Sequence, residues 1–119
     1  MILIKEVAYM FFNYSETEVH KLAPDCTRHV LARTDNLLIC RLDMEKGHTA
    51  PLHHHPHEQC TYIISGKVEI THGDEKQILC AGDSVSFQSN VPHTYYCLED
   101  SAALETFTPM RDDIINFNK

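Results

Sequence analysis

The chain has 119 residues, 43% of them hydrophobic and 23% charged, an ordinary balance for one folded domain able to bury its own core. Its formal charge of −7 excludes a basic surface for nucleic acid or for an anionic membrane, and any anion it binds needs a local positive centre. Five cysteines, an odd count without a CxxC pair, are expected as free thiols in a reducing cytoplasm.

In chain order, residues 1–12 are apolar with scattered polar positions and are expected to form an extra N-terminal strand. No signal-peptide pattern follows the first residues and no apolar run approaches membrane-spanning length, so a single cytoplasmic domain over residues 1–119 is expected. A leading strand of this kind pairs with another sheet or a second subunit, which makes a homodimer the expectation. Residues 13–22 are polar and mixed and read as loop. Pro24-Asp25 is turn chemistry, and strands are expected over 27–32 and 37–44, broken by Thr34-Asp35-Asn36 and closed by Glu45-Lys46-Gly47. A His-rich segment follows. Further strands are expected over 60–65, 68–72, 77–80, 84–88, 93–98 and 102–108, each bounded by Gly, Pro, Asn or Asp turns. Pro109 ends the last of them, leaving 111–116 for a short helix. Short strands at such spacing, without a helix–strand rhythm, point to an all-β sandwich or barrel.

The chemistry concentrates in Gly47-His48-Thr49-Ala50-Pro51-Leu52-His53-His54-His55-Pro56-His57-Glu58-Gln59. A single His here is more often solvated or packed than ligating, but four imidazoles in five positions point to a metal, since His is the commonest metal ligand. On an extended segment His53 and His55 leave from one face and can bind one ion together. His93, after the Pro92 turn, is the candidate third ligand. His54 has the opposite parity and His57 follows Pro56, so both are expected outside the ligand set. Glu58 and Gln59 compete for a fourth position, and parity with His53 and His55 favours Gln59. A second informative stretch is Leu104-Glu105-Thr106-Phe107-Thr108-Pro109-Met110-Arg111-Asp112-Asp113. Glu105 and Phe107 share one face of the last strand. Whether that face is inward, bringing Glu105 and Arg111 to the metal, or outward, leaving a surface Arg111 paired with Asp112 or Asp113, parity leaves open.

Gly47, five residues, His53-x-His55, three residues, Gln59, six residues, Gly66 resembles the first cupin motif (residues 47–66), in which the position of Gln59 is more often Glu. Gly82, ten residues, His93, with Pro92 before it, resembles the second (residues 82–97), although its Pro and Gly positions are Gln88 and Asn90 here. The resemblance implies a double-stranded β-helix, or jelly-roll barrel, holding one divalent transition metal (Zn, Ni, Fe, Mn or Cu) on His53, His55, Gln59 and His93. With a neutral amide in place of Glu the ion keeps its full charge, which suits a Lewis acid and carboxylate anchor better than a high-valent iron centre.

Residues 53–59 and 107–113 further resemble the small single-domain cupins that linearise 4,5-unsaturated uronates downstream of pectin and alginate lyases. That likeness covers roughly residues 11–113 and places Glu105 where the family has Asp, with Phe107 and Arg111 matching. It implies an isomerase that opens the ring of a small acidic sugar. Arg111 and the metal would hold the carboxylate, Glu105 would act as general acid/base, and Phe107 would pack against the sugar. The alternatives are an iron-dependent cupin dioxygenase and a non-enzymatic sugar- or metabolite-binding cupin.

Overall fold

A computed structural model describes residues 10–117 of the chain. Among the described residues nine antiparallel strands form: β1 (Glu18–Ala23), β2 (Cys26–Arg33), β3 (Leu38–Met44), β4 (Glu58–Ser65), β5 (Lys67–His72), β6 (Glu75–Cys80), β7 (Ser84–Phe87), β8 (His93–Cys97) and β9 (Ser101–Thr108). A 3₁₀ turn at Tyr14–Glu16 precedes them and one short helix, α1 (Asp112–Ile115), follows. The strands form a six-stranded sheet in the order β1-β2-β3-β9-β4-β7 and a three-stranded sheet in the order β6-β5-β8. Non-sequential neighbours such as β3-β9-β4 give the expected all-β jelly-roll arrangement. Among the described residues no helix is long and apolar enough to cross a membrane.

Alternation sets which residues enter the barrel. β3 buries every second residue, Leu38, Cys40, Leu42 and Met44, and β4 does the same with Gln59, Thr61 and Ile63. The main core joins both sheets, with Leu42, Met44, Ile63, Phe87 and Ala103 from the larger meeting Val68, Ile70, Leu79 and Cys97 from the smaller. A second cluster, Val30, Leu38, Cys40, Phe107 and Ile114, packs α1 against the sheet.

Three inward rows run across the large sheet. Gln59, Phe107 and Leu38 form one, Thr61, Glu105, Cys40 and Val30 the next, and Ile63, Ala103, Leu42, Arg28 and His20 the third. Glu105 therefore faces inward, which resolves the parity left open above. All five cysteines are free thiols, as expected.

One expectation is corrected. The segment read as loop contains strand β1, whose sole fully buried side chain is His20. An edge strand needs no run of apolar residues, and a histidine in the inward position hides its period. The expected N-terminal strand over 1–12 lies mostly outside the described residues, and 10–12 are not strand. Elsewhere strand ends move by two residues or fewer, within the usual uncertainty of such boundaries.

Candidate metal centre and its cavity

His53 reaches the site from the connection between β3 and β4, where it pairs with His93 at the start of β8 through an isolated antiparallel bridge. Reciprocal backbone hydrogen bonds of 3.0 and 2.8 Å hold the two residues together. Their rings stand 4.2 Å apart, and His55 packs edge-on against His93 at 5.1 Å. One ring nitrogen from each of His53, His55 and His93 lies within 4.8 Å of the others. His54 is exposed and Glu58 points to solvent; Gln59 is 5% exposed and faces inward.

The tautomers follow from the hydrogen bonds. Each imidazole donates Nδ1–H to a backbone carbonyl: His53 to Pro51 (2.8 Å), His55 to His57 (3.0 Å) and His93 to Val91 (2.8 Å). That leaves three Nε2 lone pairs bare. His93 Nε2 is buried and without a partner. His55 Nε2 stands 3.0 Å from Gln59 Oε1, and the Gln59 amide nitrogen is committed to Thr61 Oγ1 (2.9 Å) and Glu105 Oε2 (3.0 Å). Two acceptors thus face each other with no proton between them. A cation satisfies all of these groups at once, and three neutral imidazoles with a neutral amide oxygen are a donor set that fits a divalent transition metal. Burial holds the His55 imidazole below its usual range, helped by the Arg111 charge, and brings His93 down to about 4. Both rings keep their lone pairs at neutral pH.

The second cupin motif departs from its pattern at Asn90, and the geometry explains why this is tolerated. Asn90 has φ +63, the left-handed region that Gly occupies freely and Asn visits at low cost. Its N–H donates to the His55 carbonyl at 2.7 Å, tying that turn to the metal-facing loop.

Behind the imidazoles lies a cavity of about 220 Å³ whose walls include His53, Gln59, Phe87, His93, Glu105 and Phe107. Arg111 enters it from the turn after β9, its guanidinium carbon 5.0 Å from the centre of the Phe107 ring. Its Nε and Nη2 donate to the two carboxylate oxygens of Asp113, so Arg111 both lines the cavity and makes the ion pair expected of a surface residue. Burial pushes the Glu105 carboxyl up to about 7, against the lowering pull of Arg111, Arg28 and the Gln59 amide. A carboxyl in that range both accepts and returns a proton at neutral pH. Inspection of the sequence missed Thr61, which fixes the amide of Gln59, and Arg28, which shares the cavity wall.

A two-sheet all-β barrel with a triad of imidazoles beside an acidic and cationic cavity defines a metal-site jelly roll of the cupin type. The cupin-domain family matches residues 40–108, and the chain belongs to that family. It is 30% identical over 107 residues to the pectin degradation protein KdgF of Dickeya dadantii (strain 3937), covering 88% of this chain and 97% of that protein. Among solved structures it resembles KdgF from Halomonas sp. at 29% identity and a TM-score of 0.83, over 88% of this chain and 99% of the other. It also resembles an RmlC-like cupin from Shewanella frigidimarina NCIMB 400 at 25% identity and a TM-score of 0.84, over 89% and 96%.

Proposed function

We propose that this cupin opens the ring of 4,5-unsaturated monouronates, giving the linear keto acid, in the manner its likeness to the pectin degradation protein suggests. The observation that carries the reading is the shared amide: Gln59 turns its oxygen to His55 and its nitrogen to Glu105, coupling a metal-binding face to a proton-transfer group. His53, His55, Gln59 and His93 would hold one divalent ion, Zn, Ni, Fe, Mn or Cu. When bound, such an ion supplies Lewis acidity and an anchor for a carboxylate, its charge undiminished by a neutral donor set.

In this reading the residues divide the work. Arg111 takes the substrate carboxylate with its guanidinium, and Phe107 packs against the sugar face. Glu105 accepts the proton of the anomeric hydroxyl as the bond from C1 to the ring oxygen breaks, and returns a proton to C4. An aldehyde forms at C1 and a ketone at C5, so the reaction is an isomerisation with no co-reactant. The same reading has the chain as a single-domain, cytoplasmic homodimer working on small acidic sugars.

The test follows the ultraviolet band of an unsaturated monouronate. Metal-loaded protein is expected to speed its decay, and Glu105→Gln to lower kcat by about a hundredfold or more while leaving sugar-acid binding intact. A decay rate equal to that without protein would overturn the reading in favour of a binding cupin; oxygen consumption by iron-loaded protein would overturn it in favour of a dioxygenase.

A further inference from the structure

Arg28 stands on the inner face of β2, in the inward row next to that of Glu105, and lines the same cavity. Its Nε and Nη2 both donate to Nδ1 of His20, at 3.3 and 2.8 Å. His20 is 1% exposed, and because its Nδ1 accepts, its proton sits on Nε2, which faces Glu18 Oε1 at 3.1 Å, off the ideal hydrogen-bond line. Phe117 closes over both groups. Its ring stacks on His20 at 4.3 Å and lies 5.3 Å from the Arg28 guanidinium carbon. The side chain is thus held on one edge and against one face. Rotamer freedom that an arginine ordinarily loses on binding is already spent.

Charge sets Arg28 apart from its neighbours. Arg111 is paired with Asp113 and Arg41 with Asp43, whereas among the described residues no carboxylate pairs with Arg28. Its anchoring partner is a neutral imidazole, and Glu105, in the neighbouring row, offsets its charge across the cavity without forming an ion pair with it. Such a group is costly unless an anion or other oxygen acceptor completes it. Among the described residues no group takes the outer donors, those of Nη1 and the second hydrogen of Nη2, which form an end-on pair suited to two oxygens of one ligand.

We propose that Arg28 is a specificity-determining residue of this site, binding through its free guanidinium edge the sugar oxygens that Arg111 does not take. Two guanidiniums then bracket one small sugar acid. A cavity of about 220 Å³ falls below the roughly 300 Å³ at which pockets for drug-sized ligands begin. With both ends gripped, the site selects a monomeric uronate over a chain. His20 and Glu18 act as positioning residues, aiming Arg28 from behind. The identity of the sugar acid rests on the proposed ring-opening reaction, whereas the anion-binding role of Arg28 does not.

Two measurements separate these. The first is binding of a saturated monouronate, by calorimetry, to metal-loaded wild type, Arg28→Gln and Arg28→Lys, with a neutral hexose as control. The second is kcat and KM on an unsaturated monouronate, with calorimetric binding of a saturated diuronate to wild type beside it. Arg28→Gln is expected to weaken binding and raise KM about tenfold to a hundredfold, the loss of a charge-assisted hydrogen-bonding pair. Arg28→Lys should recover part of that loss, and kcat should move less than KM. The diuronate should bind wild type more weakly than the monouronate. Unchanged uronate affinity in both variants would overturn the proposal, as would a diuronate bound as tightly as the monomer. If wild type binds the uronate in an Arg28-dependent way without turning over its unsaturated form, the ring-opening reading fails and the role of Arg28 stands.

Discussion

At the scale of single residues, the site is decided by where protons and charges sit. Gln59 matters because its amide nitrogen is fully committed, to Thr61 and Glu105, which turns its oxygen toward His55. Arg111 carries a less obvious constraint. Its Nε and Nη2 edge, the one that would grip a carboxylate bidentately, is occupied by Asp113, whose carboxyl Arg111 holds below its usual range. Asp113 is an internal competitor for the substrate's own carboxylate. The Asp113 side chain is 60% exposed, so the pair is worth at most about 1 kcal/mol. Asp113→Asn is therefore expected to lower KM for an anionic substrate by about two- to fivefold at low ionic strength, with kcat little changed. Steady-state kinetics at two salt concentrations would check this. A raised KM would show that Asp113 aims Arg111 and does not compete with substrate.

These residues were unequally legible. His53, His55 and His93 stood out because imidazoles cluster, and Gln59 because its parity matches theirs. Arg28 and His20 left no signal: a basic residue on an alternating strand reads as solvent-facing, and only the curl of the sheet turns both inward.

At the scale of elements, glycines at the turns fix how strands enter the barrel. Gly66 links β4 to β5 with φ +90, and a Cβ there would land on the Ser101 hydroxyl, the Asp100 carbonyl and the Ser101 Cα. The Ser101 hydroxyl accepts from the Lys67 N–H at 3.1 Å, so this turn is pressed against the start of β9. Gly82 has φ +94 but nothing within 4 Å of its would-be Cβ. Both glycines belong to the cupin motifs, yet substitution should separate them. Gly82→Ala meets only the left-handed backbone penalty, about 1–2 kcal/mol. Gly66→Ala adds overpacking and should cost about 3–5 kcal/mol, read as a larger drop in the denaturant midpoint. Equal losses would mean that backbone conformation alone matters at Gly66. Motif spacing located both glycines. The unequal crowding was not legible, because Ser101 reaches Gly66 only through the pairing of distant strands.

At the scale of the whole molecule, the metal-facing imidazoles join the irregular β3–β4 connection to β8, along which backbone hydrogen bonds already lay it. His53 and His55 lie in the irregular connection between β3 and β4, whereas His93 opens β8 in the smaller sheet. An ion held by all three would fasten that connection across the barrel mouth and bind the folded state far more tightly than the unfolded chain. At a free-ion concentration a hundredfold above Kd the stabilisation is about 2.7 kcal/mol. For a chain of this length that corresponds to a rise in Tm of very roughly 8–15 °C. Chelation of purified protein should lower Tm by that order, and restoring one divalent ion per chain should recover it, with elemental analysis naming the ion. His93→Ala protein should show no such response, since its two remaining imidazoles and the amide hold an ion more weakly. A Tm indifferent to chelators, in protein that elemental analysis finds metal-free, would mean that the bare Nε2 atoms serve another end.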